Sequence, residues 1–319
     1  MNVLYCIDET KKDFSRFLWI SILSLLENNI NEKINIYIIT TKLEKSNKKE
    51  IERIVWQYNA HVYFSSNDKV IPDKIEKIIY KNQTRPIATY YRLFFNNCFP
   101  EIKDRLLYLD CDTIINKNLS NFYNSNFDNN IIIWWLDIST TRYTSNKRLW
   151  TKIDGYINAW VLLINVPLFL WVNMFEWIKY ANEKYLIKYC DQDYINIIFK
   201  DKIKIYKNLQ AIVTFKLWID TKNCLIIHMV EKPNHPFSLC PKKVINIFDY
   251  YLCKTKRKDF YKDNKTSIYD LLNFIYIFIQ RAITYFSERI FWLSFSVKLD
   301  KLCSNLWEGI WKIKNFLAK

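Results

Sequence analysis

The first 65 residues constrain the fold most, because short apolar runs and helix-spaced stretches alternate there without a gap. "NVLYCID" (2–8), "INIYIIT" (34–40) and "AHVYFSS" read as strands. Between them, "SRFLWISILSLLENN" places Phe17, Ile20, Ser21, Ser24 and Leu25 on related helical faces, and "SNKKEIERIVWQYN" is a helix capped by Ser46 or Asn47. Strand, helix, strand, helix, strand with continuously apolar strands predicts an α/β fold whose parallel sheet is covered on both faces.

The pattern continues. "TRPIATYYRLFFNNCF" (84–99) is a helix entered through Pro86 and leads into a strand at 105–110. "NNIIIWWLD" (129–137) and "AWVLLIN" (159–165) are further buried strands. A helix from about Pro167 to Tyr185, another at 191–201, and the strands "KIKIYKN" and "CLIIHMV" complete the sheet region. Asp8, Asp110, Asp112, Asp137 and His228 each sit at or near the end of an apolar run. In such sheets ligands collect at the carboxyl ends of strands, so these five polar side chains are expected to converge.

The sharpest local feature is "RLLYLDCDTIINKNL", where an apolar strand ends in Asp110 and Asp112 with only Cys111 between them. Two adjacent carboxylates are costly to desolvate without a positive partner. In an extended turn both can reach one hard cation, Mg²⁺ or Mn²⁺, which shares its remaining positions with substrate phosphates. The plain alternative is a pair of solvated loop acids. The chain has only two glycines, Gly155 and Gly309, so no glycine-rich phosphate cradle can be written. A nucleotide here must be held by side chains, a metal or helix N-termini.

His228 ends "CLIIH" and is either a packed histidine or a third ligand; an N/O donor set favours Mn²⁺. Lys232, four residues on, is placed to meet a phosphate. In "CDQDYINIIF", Asp191 and Asp193 suit a helix start, whereas Gln192 has no capping role. Arg92 interrupts the aromatic "ATYYRLFF" and either pairs with a buried acid or holds a diphosphate or sugar hydroxyl.

Asp8 at the end of the first strand, "TYYRL", "LLYLDCDTIINKNL", "YINAWVLLIN", "YCDQDYINIIF" and "IIHMVEKPN" occur in an order that resembles glycosyltransferase family 8, over about residues 1–235. The resemblance implies a single GT-A-type nucleotide-sugar domain with a mainly parallel sheet, and retaining transfer of glucose or galactose from a UDP-sugar to a saccharide acceptor. It implies Mn²⁺ (or Mg²⁺) held by Asp110, Asp112 and His228. Asp8 and Glu9 would contact uridine, and Arg92, Asp191 and Asn158 the donor sugar. Gln192 would lie beneath the anomeric carbon, and Asp137 toward the acceptor. Two departures stand out: Trp160 occupies a position where the family carries glycine, and "HMVEKPN" is two residues shorter than the family's H-x-x-G-x-x-K-P-W and lacks its glycine, while Lys232 would meet the diphosphate.

Residues 1–245 are thus expected to form the catalytic domain and 246–319 a helical, basic and aromatic tail. The net charge is +15, and from 251 onward thirteen Lys and Arg accompany six Asp and Glu. Aromatic and aliphatic residues interleaved with lysine suit attachment of 250–319 to an anionic membrane surface, or packing as a helical subdomain. No recognisable nucleic-acid module accompanies the charge. Eight cysteines without a C-x-x-C pair suit reduced thiols. "MNVLYCIDETKK" lacks the features of a signal peptide, so a bacterial cytoplasm at the inner membrane face is the expected location. Two alternatives stay open: a haloacid-dehalogenase-like phosphatase with Asp110 as nucleophile, Asp112 as acid/base and Thr113 as hydrogen-bond partner, and a degenerate transferase retained as a membrane scaffold.

Overall fold

The computed structural model describes residues 1–9, 14–65, 70–80, 86–134, 145, 148–149, 156–206, 211–213, 223–229 and 242–256. The opening alternation is present: β1 (Asn2–Cys6), α1 (Ser15–Asn28), β2 (Ile34–Ile39), α2 (Lys45–Val55) and β3 (Ala60–Phe64). Then come α3 (Asp73–Tyr80), a 3₁₀ segment (Ile87–Asn97), β4 (Arg105–Leu109), β5 (Thr113–Ile115), α4 (Ser120–Tyr123), β6 (Ile132–Trp134) and β7 (Val161–Asn165). α5 (Val166–Leu170), α6 (Met174–Lys184), α7 (Cys190–Ile198), β8 (Ile203–Ile205), β9 (Ala211–Val213), β10 (Ile226–His228) and α8 (Lys242–Leu252) complete the described elements.

The main sheet has seven strands in the order β3-β2-β1-β4-β7-β6-β8. β1 pairs in parallel with β2 on one side and β4 on the other, so the strand order reverses between β1 and β4. In open α/β sheets ligands bind at the carboxyl ends of the strands beside such a reversal, which is where Asp8 and Asp110 follow β1 and β4. β7 runs antiparallel to both β4 and β6. A buried apolar strand reads alike in either direction, so composition could not reveal this. The consequence is functional: the residues leading into β7 arrive beside the end of β4, and Asp110 donates its amide to the Trp160 carbonyl at 2.8 Å.

The strand ending in His228 does not close the main sheet, as the sequence suggested. β10 instead joins β5 (antiparallel) and β9 (parallel) in a second sheet of three strands. α1 packs between the sheets, which explains why it is apolar nearly all round: Phe17, Leu18, Trp19, Ile20, Ile22, Leu23, Leu25 and Leu26 are buried. Each such side chain contributes about 1.5–3 kcal/mol on burial. Its serines are satisfied inside the core, Ser21 Oγ with Tyr5 and Thr113, Ser24 Oγ by accepting the Ile115 amide at 2.9 Å.

Three local expectations need correction. α2 begins at Lys45 with Glu44 at its N-cap position and no side-chain cap; Ser46 and Asn47 fall inside its first turn, where Asn47 donates Nδ2–H to Glu9 and Ser46 its hydroxyl to Glu44. The helix expected over 167–185 is two helices, since Asn173 caps α6 by accepting the Glu176 amide. The boundary expected at 245 falls inside α8, whose Val244, Phe248, Tyr251 and Leu252 are buried on the domain. Asn28 donates to Tyr251 Oη at 2.8 Å, and Lys254 pairs with Glu27 at 2.6 Å. The remainder of the expected membrane-contact segment, from 257, lies outside the described residues. Among the described residues no helix is long and apolar enough to cross a membrane.

Candidate functional site

β4 delivers Asp110 and, one residue beyond Cys111, Asp112. The chain turns into β5, against which β10 pairs so that His228 lies opposite Thr113, and Met229 donates to the Asp112 carbonyl at 2.7 Å. Asp110, Asp112 and His228 thereby bring one ligand atom each within 4.8 Å of one another. His228 Nε2 is 3.0 Å from Asp112 Oδ1 and 3.6 Å from Asp110 Oδ2. Burial works against a charged imidazole, but the Asp112 and Asp110 carboxylates push His228 up to about 9.

Arg92 is buried behind this cluster. Its Nη2 is 3.1 Å from Asp110 Oδ1 and its Nε 3.3 Å from Asp191 Oδ2; Nε also donates to the Thr89 carbonyl at 2.9 Å, and Nη1 to the Ala159 carbonyl. The guanidinium lies 3.9 Å over the Tyr108 ring, whose hydroxyl donates to Asp110 at 2.5 Å. Burial opposes ionisation of Asp110, yet Arg92 and His228 hold its carboxyl below the usual range. The reading of Arg92 as paired with a buried acid named a partner too few, for it bridges two acids on different elements. Tyr108 was missed, although period-two alternation puts it on the same strand face as Asp110.

Asp191 and Gln192 sit in the first turn of α7, after Cys190 at φ 50°, a left-handed conformation uncommon for a non-glycine residue. Gln192 Oε1 accepts from the Ala159 amide at 3.3 Å, and its Nε2 donates to Tyr156 Oη at 3.2 Å. Tyr156 in turn donates to Asp193 Oδ1 at 2.8 Å. Asp193 does not cap α7; its carboxylate accepts the Lys188 and Tyr189 amides and pairs with Arg148 at 2.8 Å. Asn196 binds both backbone groups of Ile157 at 2.7 Å, fastening the approach to β7 onto α7. Asn158 Oδ1 accepts from the Trp134 indole at 2.5 Å.

Asp8 and Glu9 are knitted into the scaffold at the end of β1. Asp8 accepts from Thr41 and Tyr91, while Glu9 accepts from Ser15 Oγ and Asn47 Nδ2. Asp137 and Lys232 lie outside the described residues. For the phosphatase alternative, Asp110 Oδ1 is already engaged by Tyr108 and Arg92, and Thr113 Oγ1 turns to Ser21 and the Asp110 carbonyl, inside the core.

The sheet, whose order reverses beside Asp110, Asp112 and His228, has the fold of solved GT-A-type glycosyltransferases. The solved galactosyltransferase LgtC, in complex with donor and acceptor sugar analogues, superposes with a TM-score of 0.67 at 18% identity, covering 81% of this chain and 97% of that one, a likeness of fold. The family model described as Glycosyl transferase family 8 matches residues 2–208, and the chain belongs to that family. A lipopolysaccharide 1,2-glucosyltransferase of Escherichia coli is 27% identical, covering 70% of this chain and 66% of the relative. A lipopolysaccharide 1,3-galactosyltransferase of Salmonella typhimurium is also 27% identical, covering 64% of this chain and 60% of the relative. The match thus spans less than two thirds of the length of these two curated relatives.

Proposed function

We propose that the chain is a Mn²⁺-dependent, retaining hexosyltransferase that moves glucose or galactose from a UDP-sugar to a saccharide acceptor, a lipid-linked surface glycan such as lipooligosaccharide. The observation that carries this reading is the convergence of Asp110, Asp112 and His228 next to the Arg92–Asp191 pair. Two carboxylates and an imidazole fit Mn²⁺ as a donor set, and Mg²⁺ less well. When bound there, the ion neutralises charge that builds on the departing diphosphate.

In the reaction, the bond from the anomeric carbon to the diphosphate oxygen breaks and its electron pair leaves with UDP. An acceptor hydroxyl oxygen takes its place on the same face of the sugar, and its proton passes to the departing diphosphate oxygen. Asp8 and Glu9 border the uridine side, and Arg92, Asp191 and Asn158 the donor sugar. Gln192 offers a neutral amide to the oxocarbenium-like carbon, which a dipole stabilises without forming a lasting bond. Asp137 is assigned to the acceptor side and Lys232 to the diphosphate. The relatives named for lipopolysaccharide support the acceptor class. Of residues 250–319, the part from 257 onward is assigned to the anionic inner face of the plasma membrane, which gives a cytoplasmic, peripherally attached enzyme.

The test is UDP release from a panel of UDP-hexoses with Mn²⁺, Mg²⁺ or chelator, comparing wild type with Asp112→Ala. Metal-dependent turnover of one donor, lost in the variant, is expected. Turnover undiminished by chelator would overturn the reading.

A further inference from the structure

Trp160 lies flat on the His228 imidazole. The two rings are stacked, with centroids 4.1 Å apart and planes 29° from parallel. The His228 backbone is fixed by its pairing with β5, and the Trp160 backbone by the Asp110 amide and by Asn158 Oδ1, which accepts the Trp160 amide at 3.3 Å. Backbone pairing leaves the imidazole free to turn about its own side-chain bonds, and the metal reading requires that Nε2 stay aimed at the two acids. A histidine ligand is ordinarily aimed by a hydrogen bond to its second ring nitrogen. Among the described residues His228 Nδ1 is buried and has no such partner.

We infer that Trp160 is a positioning residue for the metal seat: its indole face, held through the hydrogen bond from the Asp110 amide to its carbonyl, keeps the His228 ring in the plane that presents Nε2 to Asp110 and Asp112. The inference rests on the metal reading above and names what orients the ligand. The indole also covers one side of the imidazole and excludes water there, which strengthens every charge interaction inside the seat. Trp160 is itself only partly buried, so replacing it leaves the main core intact.

The experiment is calorimetric titration of Mn²⁺ into the full chain without any sugar donor, for wild type, Trp160→Phe, Trp160→Leu and Asp112→Ala, with melting temperatures recorded for each. Trp160→Phe keeps a flat ring and is expected to bind within about threefold of wild type. Trp160→Leu keeps apolar bulk without a plane and is expected to bind about tenfold or more weakly, the range seen when a ligand's orienting partner is lost. Its melting temperature should match that of Trp160→Phe. Equal affinity for Trp160→Leu and wild type overturns the inference and leaves the metal reading standing. No Mn²⁺ binding by wild type overturns both.

Discussion

Arg92 lies between two carboxylates, and with only 5% of its side chain exposed it has almost no water to replace a lost partner. Removing such a group strands the acids it neutralises, at a cost of about 3–5 kcal/mol. Arg92→Met should therefore lower the unfolding free energy by about that amount in urea denaturation. A loss under about 1 kcal/mol would mean the bridge is weak. His228 supplies the pH dependence. Its value of about 9 in the metal-free protein stands above the ordinary 6.5, so its contribution is fully present below about pH 6.5 and is lost as pH rises through 9. With chelator present, the melting temperature of wild type should fall across that window relative to His228→Asn, by up to about 3 kcal/mol of stability. Mn²⁺ affinity should move oppositely, rising with pH, because the ion must displace a proton. The convergence of Asp110, Asp112 and His228 was legible in the sequence because each sits at or near the end of an apolar run. The pairing of Arg92 with both acids was not, because its partners sit on other elements, brought near only by the crossovers.

At the scale of elements, α7 depends on Asp193, whose carboxylate is fully buried and serves two amides, Tyr156 and Arg148. Asp193→Ala should destabilise the protein by about 3–5 kcal/mol by leaving Arg148 and two amides unpaired. It should also release Tyr156 and thereby loosen Gln192. A melting temperature within a degree or two of wild type would contradict this role. The first βαβαβ stretch could be read directly, because hydrophobic period and helix spacing agree there. The reversal of β7 and the departure of β10 to a second sheet could not, since short apolar runs carry no mark of direction or of partner. The break between α5 and α6 was readable in retrospect, for Asn173 followed three residues later by Glu176 is a helix-start signature.

For the whole molecule, α8 spans the charge and composition shift near 245 and packs against the preceding elements. α8 shares the core through Phe17 and Phe248, 5.9 Å apart, and Glu50 accepts the Lys256 amide at 3.2 Å. A chain ending at 256 should fold, whereas one ending at 241 should be less stable by several kcal/mol for its lost buried side chains. Circular dichroism melts of the two would decide this, and equal melting temperatures would remove α8 from the domain. The chain ending at 256 is also the proper comparison for membrane attachment. Flotation with anionic vesicles should retain the full chain at low salt, lose it at high salt, and lose the shorter chain throughout. Composition announced a basic, aromatic segment; it could not show that its first helix packs inward, because an amphipathic face suits a protein core as well as a bilayer.

The most direct measurement is UDP binding by calorimetry, with Mn²⁺ and with chelator, in wild type and Asp112→Ala. The account predicts UDP binding to wild type only when Mn²⁺ is present, and none to Asp112→Ala under either condition. UDP binding of equal strength in chelator, or undiminished in Asp112→Ala, would contradict a cation seat at Asp110, Asp112 and His228.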